Sequence, residues 1–437
     1  MYISNKKFFL NSFFSGLPGF ISILLSLLSI PIYLKYGGEE DYGNYIFLHF
    51  LGFLGQIFNL GLGKISAISI AQNKSVDDLS WILLKKTIKT SLLIFLVLSI
   101  FFIINKFFLF FSSYILLVSI LNIVVTIIFV TIEGLFQGKK LFVKLMLINL
   151  LFYGVSLSFP PFLLIFYYTS YKTIFLISLI IKITVIIIST FYLFSNKPLK
   201  FFFNTPKINY NFDQKWFSIS GILSIAYDFT DKYLIKIFIG PIALAFYSIP
   251  QQLTGKLSII SKGISAVLLP SIALEKKKIL TKDLLLSLKI FIFIVPIIII
   301  FLFNFFNIFF SFWLKNNSNI DIINLAKMFA IITWVSCISH LVIAYYEGSG
   351  IIKKNTMIEL KFYPFFFFFL FIAVLSKNLF LVTIVILLKE IFLFLLRSII
   401  ISKSVPIIKY SYLIIAFVCF YLFYTVDVDI VELFKYE

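Results

Sequence analysis

The stretch FIFIVPIIIIFLFNFFNIFF, residues 291–310, is apolar on every face and contains no charged residue. A soluble helix keeps one polar face, and a barrel strand alternates apolar and polar residues, so neither pattern fits this stretch. A run of about 20 apolar residues is long enough to cross the hydrocarbon core of a bilayer. The stretch therefore predicts a transmembrane helix.

The composition extends this interpretation to the whole chain. Hydrophobic residues make up 61% of the 437 residues and charged residues 13%, whereas a soluble domain has roughly a quarter charged residues. Such a chain cannot cover a globule with polar side chains, and only helices and closed barrels span a bilayer. Together with the unbroken apolar runs, the composition predicts an all-α polytopic membrane protein.

Polar breaks divide the chain into thirteen apolar segments. Twelve are long enough, at about 20 residues, to cross the membrane, whereas the last either crosses it or lies on its surface. The segments lie near 8–34, 43–70, 88–104, 113–136, 145–167, 173–194, 217–238, 243–270, 284–310, 322–346, 357–375, 379–402 and 410–426.

Lysines favour alternate connections between the segments. They cluster at 85–89, after the second segment, and at 276–278, after the eighth. Connections that are rich in lysine and arginine stay in the cytoplasm, so we expect a cytoplasmic N-terminus. Topology thereby explains most of the net charge of +19, and we predict no nucleic-acid partner.

The connections leave no room for a soluble catalytic domain. The longest, 195–216, carries no Walker-type phosphate loop, so the chain is not expected to hydrolyse ATP. Cys337 and Cys419 lie singly in apolar runs, and His49 and His340 are far apart in sequence. These spacings fit neither a zinc site nor a disulfide framework. We therefore predict no enzymatic activity, no cofactor and no metal site.

The two halves of the chain share a short repeat. At an offset of 202 residues, Gly38 aligns with Gly240 and Tyr45 with Tyr247, each at the start of an even-numbered segment. Secondary transporters with duplicated halves bind their substrate between the halves, near mid-membrane. We predict a six-helix bundle at 1–194, a cytoplasmic linker at 195–216, a second six-helix bundle at 217–402, and an extra hydrophobic segment with an acidic tail at 403–437.

Four stretches resemble one family of transporters: LKYGGEEDYGNY (34–45), NLGLGKISAISIAQ (59–72), QG (137–138) and DKYLIKIFIGPIALAFYSI (231–249). They look like the Wzx-type O-antigen and polysaccharide repeat-unit flippases, which belong to the polysaccharide-exporter branch of the MOP superfamily. The resemblance covers segments 1–12. It implies two pseudo-symmetric six-helix bundles around a V-shaped central cleft.

The resemblance also implies a function. Such a flippase translocates an undecaprenyl-pyrophosphate-linked oligosaccharide, an O-antigen or capsule repeat unit, across the cytoplasmic (inner) membrane of a bacterium by alternating access. It implies contact with membrane lipid, a proton or sodium counter-ion, and a polysaccharide polymerase as a partner.

Charged residues interrupt the seventh segment at YDFTDKYLIKIFIGP, residues 227–241. Asp228, Lys232 and Lys236 follow at i, i+4 and i+8 and form one stripe on a helix, with Asp231 beside it. A charged side chain at the centre of a membrane helix costs about 2.5–3.5 kcal/mol on insertion scales. Either Asp228 and Lys232 neutralise each other within the helix, or the stripe forms the wall of a hydrated cavity, which we favour.

Further polar residues lie in neighbouring segments: Lys256 and Lys262 in the eighth, Lys64 in the second, and Asn11 in the first. Segments 1, 2, 7 and 8 border the central cleft in the family, so the resemblance places these residues in the cleft. The excess of lysine predicts a cationic cleft and an anionic substrate. A pyrophosphate suits lysine, which is a compact and strongly hydrated point charge.

Three other titratable residues are candidates for an ion relay: Glu133, Glu359 and His340. The alternative for each is structural. Glu359 could pair with Lys361, two residues away, as Glu390 could pair with its neighbour Lys389, and His340 could pack inside the second half.

Two rival functions are weighed against the flippase. A MATE-like multidrug or cation exporter of the same superfamily would need acidic rather than basic residues to dominate the cleft. A membrane polysaccharide polymerase or ligase would need a sizeable external loop with acid, base or arginine residues. The longest external connection, 312–321, carries one aspartate and neither histidine nor arginine. The excess of lysine argues against the cation exporter. The short external connections argue against the polymerase or ligase.

Overall fold

The computed structural model describes residues 5–72, 76–108, 113–167, 170–195, 214–255, 257–275, 281–314, 320–401 and 408–425. Within these ranges the chain is helical, with short turns between helices and no β-strand. A helix satisfies its backbone hydrogen bonds within the segment, which is what the long apolar runs require in lipid. The predicted all-α fold class is confirmed.

The first half of the chain forms the first group of helices. They are α1 (Asn5–Phe58), α2 (Leu62–Gln72), α3 (Val76–Phe108), α4 (Ser113–Gly138), α5 (Phe142–Asn149) and α6 (Tyr171–Phe194). The chain continues from α5 through a π-helical turn, Leu150–Val155, an α-helical turn, Ser156–Ser158, and a 3-10 turn, Pro160–Ile165. The 3-10 turn begins at Pro160 and Pro161, which lack the backbone N–H groups that an α-helix needs.

The second half forms the remaining described helices. They are α7 (Gln214–Phe238), α8 (Pro241–Gly255), α9 (Ser258–Glu275), α10 (Thr281–Lys289), α11 (Val295–Leu314), α12 (Ile320–Gly348), α13 (Ile352–Leu375), α14 (Leu379–Ile401) and α15 (Ile408–Thr425). A π-helical turn, Ile290–Ile294, joins α10 to α11.

Among the described residues, eight helical stretches are long and apolar enough to cross a membrane. They correspond to the joined segments 1 and 2 and to segments 4, 5, 6, 9, 10, 11 and 12. The chain is therefore a multi-pass membrane protein. The stretch in α7, which carries the predicted charged stripe, is not one of the eight.

Two predicted segments are broken in the structure. The second segment breaks at Asn59, where Leu60 and Gly61 both take positive φ values. The Asn59 side chain stabilises the break, because its Oδ1 accepts from the backbone N–H of Gly63 at 2.8 Å and caps α2. Its Nδ2 donates to the carbonyl of Ile127 on α4 at 2.8 Å. The eighth segment divides into α8 and α9.

The repeat seen in the sequence has a structural counterpart. Gly38 has φ 81° and Gly240 has φ 120°, conformations that glycine adopts without a steric penalty. Gly38 kinks α1 between segments 1 and 2, and Gly240 forms the turn between α7 and α8. Tyr45 and Tyr247 are both fully buried. The aligned positions therefore have similar backbone conformation and burial in both halves.

The thirteenth segment is a helix, α15, that packs on one side only. Ile415 and Val418 are buried, whereas Leu413 and Phe417 are exposed. Whether α15 crosses the membrane stays a prediction, as do the side of the N-terminus and the domain boundaries. Most of the predicted linker lies outside the described residues, although α7 already begins at Gln214.

The two halves touch where α1 meets α8. A Cβ on Gly43 would lie 2.1 Å from the backbone oxygen of Pro241, so a glycine is required at this backbone contact. Farther along the interface, Ser218 Oγ donates to the carbonyl of Leu60 at 2.6 Å. The second segment and the start of the second half are therefore in direct contact.

This contact predicts the effect of adding one methyl group. We expect Gly43→Ala to lower the thermal unfolding midpoint of the purified protein in detergent, since overpacking costs typically 1–3 kcal/mol. Gly221→Ala is the matched control: a Cβ there meets nothing within 4 Å, and alanine favours a helix by about 1 kcal/mol. Equal midpoints for the two variants would contradict the contact.

Candidate substrate cavity

A polar cavity of about 480 Å³ lies in the middle of the helices of the second half. Its walls come from α7, α8, α9, α12, α13 and α14, and α1 closes one side with Phe50, Phe53 and Gln56. Several charged lining residues, among them Asp228 and Lys389, lie near the centres of their helices. Both halves therefore contribute to the wall, but every charged residue of the described lining belongs to the second half.

The charged stretch of α7 forms part of this wall. Lys232 Nζ donates to Asp231 Oδ1 at 3.2 Å and also to the backbone carbonyl of Asp228. The Tyr247 hydroxyl donates to the other oxygen of Asp231, and Lys232 Nζ lies 5.0 Å from the centre of the Phe50 ring. The alternative in which the Asp228 carboxylate pairs with Lys232 is wrong, because the Lys232 ammonium contacts the Asp231 carboxylate instead.

A second ion pair joins α13 to α14. Arg397 Nη2 donates to Glu359 Oε1 at 2.6 Å, and its Nε donates to Asn355 Oδ1 at 2.9 Å. Asn355 Nδ2 closes the triangle by donating to Glu359 Oε1 at 2.9 Å. All three side chains are buried. Lys361 is exposed, so the alternative of a Glu359–Lys361 pair is wrong.

Arg397 is the functional residue that the sequence analysis overlooked. It is the only arginine in the sequence, and it lies near the end of a segment, where a basic residue is ordinary. Two signals could have revealed it. It shares a helix face with Glu390 at i+7, and a planar guanidinium can form two directed bonds where lysine cannot.

The third ion pair confirms the predicted pairing of Glu390 with its neighbour Lys389. Lys389 Nζ lies 2.7 Å from Glu390 Oε1 on α14. The Lys389 ammonium is also 5.5 Å from the Tyr227 ring and 5.4 Å from the Phe366 ring, distances at which an aromatic face attracts a cation. Both members of the pair line the cavity.

The cavity is not cationic, contrary to expectation. Its described lining carries four basic side chains, Lys232, Lys262, Lys389 and Arg397, and four acidic ones, Asp228, Asp231, Glu359 and Glu390. The lining includes Glu359 and Glu390 from segments 11 and 12, and it does not include Lys64 or Lys236. Six of these side chains form three ion pairs: Lys232 with Asp231, Lys389 with Glu390, and Arg397 with Glu359. Asp228 and Lys262 have no ion pair among the described residues, and both side chains are accessible.

The remaining candidates divide between the cavity and other places. His340 lines the cavity. Lys236 does not, since its Nζ donates to Asn44 Oδ1 on α1. Glu133 accepts from Asn149 Nδ2 at 3.0 Å in the first half. Lys256 and the side chain of Asn11 lie outside the described residues.

Lys64 has a different role from the expected one. Its Nζ forms an ion pair with Glu347 at the end of α12, which joins the two halves at one end of the helices. Gln137 Nε2 strengthens the same end by donating to the carbonyl of Ala266 on α9 at 2.7 Å. Lys64 is therefore part of an interface between the halves and does not line the cavity.

Uncharged polar groups complete the lining. They are three glutamines, Gln56, Gln251 and Gln252, and five hydroxyl residues, Ser224, Ser258, Thr333, Ser336 and Ser339. Amides and hydroxyls both donate and accept hydrogen bonds. Several phenylalanines, among them Phe53, Phe229 and Phe329, lie between these groups. The arrangement can hold a polar solute with many hydrogen-bonding groups.

No protein-family model matches the sequence, and no curated protein matches it. Solved structures with similar folds exist. An outward-facing multidrug resistance MATE family transporter of the MOP superfamily has 14% sequence identity and a TM-score of 0.62, over 91% of this chain and 96% of that chain. A MATE crystal structure in complex with MaD3S has 15% identity and a TM-score of 0.67, over 92% and 97%.

An inward-facing multidrug resistance MATE family transporter of the MOP superfamily is also similar, with 13% identity and a TM-score of 0.61 over 90% of this chain and 99% of that chain. At these identities the likeness concerns the fold. The chain has the MATE transporter fold, in which two helical bundles flank a central cleft, as the resemblance implies.

The buried pair between α13 and α14 predicts a stability effect. We expect Arg397→Leu to lower the thermal unfolding midpoint strongly, because an unpaired buried carboxylate costs roughly 3–5 kcal/mol. The double variant Arg397→Leu with Glu359→Leu should recover most of the loss, since an apolar pair often replaces a buried ion pair without penalty. A single variant as stable as the original protein would show that Glu359 does not depend on Arg397.

Proposed function

We propose that the protein is a flippase that carries the polar head of an undecaprenyl-pyrophosphate-linked oligosaccharide across the bacterial cytoplasmic membrane. The observation that carries this proposal is the polar cavity at mid-membrane depth. Ionisable residues inside a membrane are costly and mark substrate pathways. Secondary transporters of duplicated architecture bind their substrates at this depth.

The lining suits a sugar chain. A sugar unit presents hydroxyls on every side, each of which both donates and accepts. Gln56, Gln251 and Gln252 offer amide donors and acceptors, and the five hydroxyl residues offer both kinds of group. The cavity volume of about 480 Å³ is within the range of small-ligand pockets. The polyprenyl tail stays in the lipid outside the helices.

Lys262 provides the contact for the pyrophosphate. Its side chain reaches the cavity from α9 and is accessible. The other three basic side chains of the described lining are already held by acids, so Lys262 is the one that can donate fully to a phosphate oxygen. A charge-assisted hydrogen bond of this kind is roughly twice as strong as a neutral one.

Alternating access gives the contacts between the halves a role. The Lys64–Glu347 pair and the Gln137–Ala266 hydrogen bond join the halves at one end. Both must break for the cavity to open there. With a cytoplasmic N-terminus, this end faces the cytoplasm, and its opening admits the lipid-linked substrate. A proton or sodium ion would supply the energy, and His340 in the cavity wall is our candidate for coupling.

A second function has one specific observation in its favour. The Asp228 carboxylate reaches the cavity and has no ion pair among the described residues, while Phe50, Phe53 and Phe229 provide aromatic faces nearby. An aromatic wall with a carboxylate attracts an organic cation. A cation exporter of the multidrug type is therefore the alternative.

Proteoliposomes containing the full-length protein test the proposal. We expect them to flip a fluorescent undecaprenyl-pyrophosphate-linked oligosaccharide, and we expect Lys262→Ala to slow flipping about tenfold or more, as the loss of a hydrogen bond to a charged group predicts. Lys361→Ala is the matched control, because Lys361 is exposed on α13 and does not line the cavity.

The same proteoliposomes distinguish the alternative. Transport of a fluorescent organic cation that Asp228→Asn abolishes, without flipping of the lipid-linked sugar, would overturn the flippase and establish the exporter. Equal flipping by Lys262→Ala and Lys361→Ala would remove Lys262 from the mechanism.

A further inference from the structure

One acid and one base of the described cavity lining have no ion-pair partner. Asp231 holds Lys232, Glu390 holds Lys389, and Glu359 holds Arg397. Asp228 on α7 and Lys262 on α9 form no hydrogen bond or ion pair with each other or with another charged side chain in the described part of the chain. The described lining is therefore neutral in sum and carries one available charge of each sign.

The Asp228 carboxylate keeps its accepting capacity although bases surround it. Lys389, Lys232 and Lys262 all act on it electrostatically. The Lys232 ammonium donates to the Asp228 backbone carbonyl and to Asp231, so it leaves the side chain of Asp228 unbonded. No side chain in the described part of the chain hydrogen-bonds to the Asp228 carboxylate, so its oxygens can accept from a ligand.

A substrate with one sign of charge would satisfy only half of this arrangement. When the cavity closes and water leaves, a purely anionic head would pair with Lys262 and leave Asp228 desolvated and unpaired. A purely cationic solute would do the reverse. Unpaired charges away from water are costly. A head with both signs satisfies both residues at once.

We propose that the substrate head carries a protonated amine, which binds Asp228, in addition to the anionic group, which binds Lys262. This inference rests on the proposed flippase function, and it specifies its substrate class: a pyrophosphate-linked oligosaccharide that bears a free amine. The amine belongs either to an amino sugar that is not acetylated or to an ethanolamine phosphate attached to a sugar.

Four fluorescent lipid-linked disaccharides in the proteoliposome assay test this inference. They differ at one position, which carries a free amine, an acetylated amine, a hydroxyl, or an ethanolamine phosphate. We expect the two amine-bearing substrates to be flipped about tenfold faster than the other two, as an added hydrogen bond between charged groups predicts. The faster of the two identifies the source of the amine.

Variants of Asp228 test whether this residue causes the preference for amine-bearing substrates. In Asp228→Asn the ratio of amine to acetylated substrate should fall to about one, because the neutral amide no longer attracts the ammonium, whereas Asp228→Glu should retain a preference. Size-exclusion profiles verify that each variant is folded. Equal flipping of all four substrates by the original protein would overturn the inference and leave the flippase intact. A preference that survives in Asp228→Asn would also overturn it. No flipping of any of the four would overturn the flippase itself.

Discussion

Charge in the middle of a membrane must be paired, hydrated or bound to a ligand, and the second half of this protein pairs most of the charges that line its cavity. Three ion pairs, Lys232 with Asp231, Lys389 with Glu390, and Arg397 with Glu359, neutralise most of the ionised groups. Because these pairs are closed, the cavity can remain polar without a large net charge. Asp228 and Lys262 remain available to a ligand. The pairs thus allow a polar cavity inside the membrane, and the two remaining charges can bind charged groups of a ligand.

The repeat shows how one architecture serves two purposes. Tyr45 and Tyr247 occupy aligned, buried positions next to a turn formed by a glycine. In the first half, the Tyr45 hydroxyl donates to the carbonyl of Leu157 and holds helices together. In the second half, the Tyr247 hydroxyl donates to Asp231 and orients a carboxylate in the cavity wall. The same position therefore has a packing role in one half and an electrostatic role in the other.

The fold was largely predictable because unbroken apolar runs permit only helices in lipid. The break at Asn59 was not, since it depends on Ile127 and Gly63, a contact with α4 and a cap that no periodicity reveals. In the site, the stripe on segment 7 predicted Asp228, Asp231 and Lys232. A count of lysines predicted the wrong net charge, because Lys64 and Lys236 do not line the cavity whereas Glu359 and Glu390 do. Arg397 looked like a flanking basic residue until its partner Glu359 was visible in space.

The central claim is that water reaches a polar cavity at mid-membrane depth between these helices. Chemical labelling of a single cysteine tests it most directly, in a background where Cys337 and Cys419 are replaced by alanine. Ser336→Cys lies in the cavity wall, whereas Ile297→Cys lies on an exposed apolar face of α11. A thiol must ionise in water to react, so a membrane-impermeant maleimide should label Ser336→Cys from one side of the membrane and leave Ile297→Cys unmodified. If Ser336→Cys is as unreactive as Ile297→Cys from both sides, the cavity is closed to water and the account is wrong.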